Sequence, residues 1–446
     1  MIKYLKLMIT VAVLSLLALT SCEDYVNNIE KPIDNLADDQ LNEPEDIPFL
    51  VDGIKVSWII TWDEHSLFSD GMSDAMEFTF DISSATFTTY YSLDYPFIQS
   101  QNYPLLPQNN STEALYEELG RFRLHCDTLI ERINNRMTFD DQTMAYKNMG
   151  LYNAYFYGAI ARYMLGSYWC LDPNNDDGGG TINKGPYIPA EDLYADALNR
   201  LDEAAKYASN PSQIRRINTL KARIKLYQGK YSECMTLSNE GMTFGDPPMT
   251  AEYNAAEANQ WYYWAGPGRT QFHAADRFGQ YVYDDPEEAN RIPIYRIAGR
   301  SPRIFPSDTV IGGVQYSAGD TTVKIYTQQN KYTQLGAGMV FMSWQENMLM
   351  QAEVMIRQDQ NTNGLDLINQ VRASHGISPL TADDVENNYG GDYLELLYVE
   401  RDKELAFTGL RLMDQLRFDK WHFPADATWE RMPVSLDERR ANDYID

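Results

Sequence analysis

The chain has 446 residues, of which 44% are hydrophobic, enough for a sizeable core and too many for a disordered chain. Acidic residues outnumber basic ones 64 to 37, a formal charge of -27. A surface of that sign repels phosphate backbones, so nucleic acid is excluded as a partner.

Residues 1–21 read as an export leader. Lys3 and Lys6 precede an apolar run, Leu7–Leu19, too short to span a bilayer comfortably but right for a signal-peptide core. The run ends in Leu19-Thr20-Ser21-Cys22, which resembles a bacterial lipobox; the alternative is an ordinary secretory signal with a chance cysteine. On the first reading Cys22 is lipidated (palmitate among its acyl chains) and anchors the mature chain. Residues 22–43 are polar, acidic and aperiodic, as a tether would be. Cys126, Cys170 and Cys234 form no CxxC pair or zinc-spaced cluster, and Cys126 and Cys234 sit on apolar helical faces.

Residues 44–245 read as mostly helical. Pro44 suits a first helical turn, followed by a face of Ile47, Leu50, Val51, Ile54 and Trp58. Phe68–Asn110 is loop-like and holds Tyr90, Tyr91 and Asp94. A long stripe follows from Leu115 to Ile133, then helices over Asp140–Tyr168 and from Leu193 to Ala208. Ser212 is placed to cap the next helix, and Gly229-Lys230-Tyr231 makes a tight turn. Such pairs resemble tetratricopeptide (TPR) repeats, in which each helix pair buries its face only against its neighbours.

Residues 246–342 break the pattern. This insert is rich in Gly, Pro and aromatics, including Trp261-Tyr262-Tyr263-Trp264, Tyr281 and Tyr283. Val314–Tyr326 suggests a hairpin around Ala318-Gly319-Asp320. Helices resume over 343–446, at Ser343–Arg357 and Gly364–Ser374, before a tail from Phe423 that reads as coil.

Within that last region, Tyr393–Trp421 reads as two helices hinged at Gly409, with Arg401–Glu404, Arg411–Asp414 and Asp414–Arg417 spaced to pair along a helix. The run Glu400-Arg401, Glu404-Leu405-Ala406-Phe407, Gly409, Arg411 and Asp414 resembles the E-R-x-x-E-L-A-F-x-G-x-R-x-x-D-L motif of the SusD/RagB family. Met348–Glu353 and Leu367–Arg372 resemble two further family motifs. The helices of residues 144–235 resemble the family scaffold in order, with Asn153 where arginine is common, and Glu23-Asp24 resembles the surface-export signal of Bacteroidota lipoproteins.

The resemblance implies a mostly α fold, a TPR-like superhelix with an irregular, loop-rich insert and a minor β-hairpin. It implies a non-enzymatic lipoprotein on the outer surface of the outer membrane. Such a protein captures glycan nutrients and passes them to a SusC-like TonB-dependent transporter. Peptide cargo on the same scaffold is one alternative; a surface α-helical glycoside hydrolase and a TPR-type assembly protein are others.

The residues themselves offer little catalytic chemistry. HExxH, P-loop, GxSxG and GxGxxG motifs are missing, and the five histidines are scattered. Asp359, Asn361, Asn363 and Gly364 match the first half of a calcium loop, but Gln370 stands where the bidentate glutamate belongs; a turn before a helix explains them equally. The aromatics remain. A sugar ring can lie its C–H face on Trp or Tyr while Asn, Gln or Asp bond its hydroxyls. The expected binding positions are therefore Tyr90, Tyr91 and Asp94 in the early loop and Trp261, Tyr263 and Trp264 in the insert.

Overall fold

Helices dominate the chain. The computed structural model describes residues 41–78, 109–172, 178–268, 270–304, 308–311, 314–319, 321–420 and 430–445. The leader, Cys22, Tyr90, Tyr91 and Asp94 lie outside them.

Helix α1 (Ile47–Met72) follows a 3-10 turn, Pro44–Asp46, closed by a reciprocal Glu43/Asp46 capping box. Its first half buries Ile47, Val51, Ile54 and Trp58 as expected, and from Thr61 to Met72 every residue except Glu64 is buried. The loop-like reading from Phe68 onward is thus corrected for Phe68–Met72. Ser69, Asp70 and Gly71 look like turn residues, but the Ser69 hydroxyl donates to the Gly409 carbonyl at 2.8 Å. A distant partner overrides local preference there.

Five helices follow: α2 (Asn110–Asn135), α3 (Met144–Tyr168), α4 (Ala190–Lys206), α5 (Pro211–Tyr227) and α6 (Tyr231–Asn239). Each packs on the next, and α1 lies against α2 and α3. The predicted stripe of α2, including Leu115, Phe122, Cys126 and Ile133, is buried, as is Cys234 of α6. Arg162 of α3 ties three helices together, reaching Asp127 of α2 at 2.9 Å and Asp196 of α4 at 2.5 Å. The cap of α5 is Asn210 rather than Ser212: its side chain accepts from the Gln213 amide at 3.1 Å, and Pro211 takes the first helical position.

Among the described residues the insert holds two short helices, α7 (Gln260–Trp264) and α8 (Asp276–Asp284), three antiparallel strand pairs of its own and one strand paired with a partner from before it. Strand β1 (Met76–Phe78) pairs with β3 (Phe272–Ala274), and β2 (Met249–Ala251) pairs with β8 (Met339–Met342). The long β4 (Ile294–Ile304) pairs with β7 (Thr321–Gln329), and β5 (Thr309–Ile311) with β6 (Val314–Tyr316). The expected hairpin therefore has a different register. Val314–Tyr316 turns back onto Thr309–Ile311, and Gly319, at φ +84°, only joins β6 to β7.

The C-terminal helices are α9 (Trp344–Arg357), α10 (Asn361–Ser374), α11 (Ala382–Tyr389), α12 (Tyr393–Glu404), α13 (Arg411–Phe418) and α14 (Leu436–Ala441). Leu349, Ile356, Ile368, Val371, Leu396 and Leu397 form their shared core. The tail is not all coil: Met432–Pro433 pairs in parallel with Trp169–Cys170, and α14 follows.

The ELAFTG turn departs from expectation in two ways. Helix α12 stops at Glu404, five residues before Gly409. The turn instead threads a groove: Lys331 Nζ donates to the Ala406 carbonyl at 2.7 Å, Tyr332 Oη to that of Phe407 at 2.7 Å. Gly409 has φ +77°, and a Cβ there would stand 2.5 Å from Ser66 Cα. Second, Arg401 does not pair with Glu404. It crosses to α13 and grips both oxygens of Asp414 at 2.9 Å, while Arg411 and Arg417 reach the same carboxylate at 2.6 and 2.7 Å. Burial alone would raise the Asp414 carboxyl; three guanidinium groups hold it well below the usual range.

Candidate ligand-binding site

The two regions expected to bind meet at their roots. Strand β1, the last described element before Tyr90, Tyr91 and Asp94, pairs with β3 of the insert, Glu77 opposite His273 and Phe78 opposite Phe272. The Phe78 and Phe272 rings pack edge to face at 5.7 Å.

The four aromatics of α7 divide. Trp261 is a correction: it is fully buried, so its ring is closed to a ligand. Its indole N–H donates to Ser66 Oγ at 2.9 Å and the Asp63 carbonyl at 3.1 Å, and its ring meets Tyr332 edge to face. Asn259 caps this turn by accepting from the Trp261 amide at 2.9 Å and donates to the Ala337 carbonyl at 2.7 Å. The sequence pattern Asn-Gln-Trp, read as sugar chemistry, is thus a fastening between the insert and α1. Tyr262, Tyr263 and Trp264 are half-buried and keep part of their faces at the surface.

A cleft of about 490 Å³ opens elsewhere in the insert, between α8, β4 and β7. Tyr283 stands on α8 with 59% of its surface exposed. Tyr295 and Arg296 come from the start of β4 and Thr327 from β7. Thr327 is buried, and its hydroxyl meets no hydrogen-bond partner among the described residues. The cleft combines two tyrosine faces, a guanidinium and an unspent hydroxyl, the mixture of apolar wall and few polar groups that small-ligand sites share. Tyr283 was visible in the sequence as one insert aromatic among many. Tyr295, Arg296 and Thr327 carried no motif; only the pairing of β4 with β7 brings them together.

Beneath the cleft the charges are closed off. Glu288, just past α8, is fully buried and bonded to Arg291 at 2.6 Å, Lys403 at 2.9 Å and Arg372 at 3.0 Å. Burial pushes its carboxyl up, but these cations hold it down at about 2. At the root of β1 the balance reverses: burial pushes Asp74 and Glu77 up to about 7.

The calcium-like segment is a turn entering α10. Asp359 has φ +60°, Asn361 opens the helix, and Asn363 Nδ2 donates to Gln360 Oε1 at 3.3 Å. Among the described residues no group of three or more His, Cys, Asp or Glu side chains is placed to hold a metal ion, and no helix is long and apolar enough to cross a membrane.

No curated protein matches the chain. Residues 321–442 match the model of the SusD family. The fold resembles that of a SusD-like carbohydrate binding protein from Bacteroides vulgatus, at TM-score 0.64 and 14% identity over 90% of this chain and 97% of that one. It also resembles a SusD-like protein from Bacteroides fragilis, at TM-score 0.62 and 12% identity over 94% and 99%. A laminarin binding SusD-like protein shares the fold at TM-score 0.59 and 13% identity over 90% and 98%. The chain thus carries a SusD-family segment at its C-terminal end and shares the fold of SusD-like proteins along nine-tenths of its length.

Proposed function

We propose that the protein is a non-enzymatic, lipid-anchored binder of oligosaccharides at the outer surface of the outer membrane, delivering its cargo to a SusC-like TonB-dependent transporter. One observation carries the binding part: the cleft of Tyr283, Tyr295, Arg296 and Thr327, where a buried hydroxyl has no hydrogen-bond partner among the described residues. A pyranose ring stacks its C–H face on tyrosine, its hydroxyls bond Arg296, and a side-chain shift at the cleft wall brings Thr327 Oγ1, closed to solvent in the free chain, within reach. Two of the similar structures are described as carbohydrate or laminarin binding, which supports this cargo class over peptide. Cys22 supports the anchor, through the lipobox-like Leu19–Cys22 and the acidic pair after it.

Calorimetric titration of the protein against a panel of oligosaccharides and peptides tests the cargo. Glycan binding that weakens at least tenfold in Tyr283→Ala is expected; peptide-only binding overturns the reading, and polysaccharide turnover overturns its non-enzymatic part. For the anchor, Cys22→Ser should abolish palmitate labelling and release the protein from membranes. Copurification of a β-barrel with the tagged protein tests the delivery step.

A further inference from the structure

A second cavity, of about 440 Å³, lies away from the insert, between α2, α3, the turn after residue 180 and α14. Its size is at the low end of the roughly 300–1,000 Å³ of small-molecule sites. Leu119, Ala161 and Leu165 make an apolar floor, and Leu124, 47% exposed, stands at the lip.

Three features set this cavity apart from a packing gap. Gly120 lines it in the interior of α2, where glycine weakens a helix relative to alanine. A Cβ at Gly120 would meet nothing within 4 Å, so packing does not demand the glycine; its missing side chain leaves the cavity open. The facing rim is a tight turn, Ile182–Gly185, closed by a 3.0 Å bond between the Gly185 amide and the Ile182 carbonyl. Its two central residues, Asn183 and Lys184, both have φ +54°. This is the turn that favours Asn-Gly, and a lysine in its second central position is strained. Arg123 holds it by donating to Asn183 Oδ1 at 2.6 Å, which sets Lys184 on the cavity wall.

The charges are the third feature. Glu117 and Arg121 are four apart on α2, the spacing at which such residues pair. Among the described residues Glu117, Arg121 and Lys184 form no ion pair, and all three line this cavity. Asp437 of α14 adds a carboxylate, 67% exposed and only loosely paired with Arg440 at 4.0 Å, whereas Glu438 on the same wall is already bonded by Thr181 and Asn442. Arg121, Lys184, Glu117 and Asp437 therefore stand around an apolar floor without a close ion pair, although burial raises the Glu118 carboxyl and Arg121 lies near enough to lower it. A neutral sugar would leave both sets unanswered, and a simple anion or cation would answer only one.

We propose that this cavity is a second binding site, for a zwitterion with an aliphatic body, of about dipeptide size. Its carboxylate meets Arg121 and Lys184, its ammonium meets Glu117 and Asp437, and its aliphatic body covers Leu119 and Leu165. The probe is the dipeptide Leu-Leu, titrated calorimetrically into the full chain in detergent. Binding is expected, at least tenfold weaker for N-acetyl-Leu-Leu-amide, which has the same body without the charges. Gly120→Leu fills the cavity with a better helix former; it should abolish binding at least tenfold while the thermal midpoint stays or rises. Arg121→Gln/Lys184→Gln, on the exposed rim, should cost at least tenfold without loss of folding. The proposal is overturned if Leu-Leu does not bind at millimolar concentration. Equal binding of the capped dipeptide overturns it too, as does wild-type affinity in the rim double variant.

Discussion

The segment Tyr393–Phe418 and the insert around Tyr283 use polar groups in opposite ways. In the first, Arg401, Arg411 and Arg417 converge on Asp414, and Glu400 joins the buried set of Glu288, Arg291, Arg372 and Lys403. Every one of these charges is opposed by another, and all but Arg417 are buried away from solvent. In the insert Thr327 buries a hydroxyl without a hydrogen-bond partner among the described residues, and Tyr283 leaves a ring in solvent. The motif by which the chain resembles the SusD family is therefore structural, and the binding site proposed in the insert lies where a ring is left at the surface. That contrast is breakable by mutation, with large stability effects expected in the first region and small ones in the second.

Asp414→Ala should have the largest effect. It takes the bonded carboxylate from Arg401 and one of two from Arg411 and Arg417, which keep Asp402 and Glu353, and removing one partner of a buried network costs about 3–5 kcal/mol. Chemical denaturation should show that loss; a change below about 1 kcal/mol would mean that water reaches the network. Gly409→Ala comes next. The left-handed φ and the 2.5 Å approach to Ser66 Cα leave no room for a methyl group without shifting α1. About 2–4 kcal/mol is expected, measured in the same way.

These two residues also show how far the sequence could be read. The helical stripes of α2 to α6 were legible because burial repeats with the helix, and Asp414 with its two neighbours was legible because i,i+3 spacing is local. Arg401 was misassigned to Glu404 because its true partner lies across a turn, and spacing rules see only one helix at a time. Trp261 failed for the same reason: a tryptophan beside Asn and Gln looks like a sugar platform until Asp63 and Ser66, about two hundred residues away in sequence, claim its N–H. The cleft itself was illegible since Tyr295 and Thr327 are ordinary strand residues, joined only by the β4–β7 register.

Asp74 sits between the two regions, at the end of α1, and gives a pH test. Its carboxyl is buried without a hydrogen-bond partner among the described residues, and burial raises it to about 7. Unfolded, it titrates near about 4. Between those values the folded chain holds the extra proton, so this group's contribution is full below about pH 4 and is lost as pH rises to about 7. Asp74→Asn keeps a residue type that tolerates the φ of +57° and removes the charge. The variant should be more stable than wild type by about 1–2 kcal/mol at pH 8, the gap closing toward pH 4. A pH-independent difference would mean that Asp74 is already neutralised by Arg277, whose charge lowers it.

The smallest stability effects belong to the cleft, and there the comparison is sharpest. Tyr283→Ala removes a ring that is 59% exposed, so unfolding should move by no more than about 0.5 kcal/mol while glycan affinity falls about tenfold. Thr327→Val deletes a hydroxyl that bonds nothing among the described residues. Stability should hold or rise slightly, because a buried polar atom is replaced by a methyl group of similar size. Affinity should fall by about 1 kcal/mol, roughly fivefold, if the ligand is what that hydroxyl bonds. Paired thermal melts and glycan titrations on the one variant separate the two quantities. A Thr327→Val protein that loses stability and keeps its affinity would make the hydroxyl a structural group, and the cleft would lose the feature that distinguishes it from any groove between a helix and a hairpin.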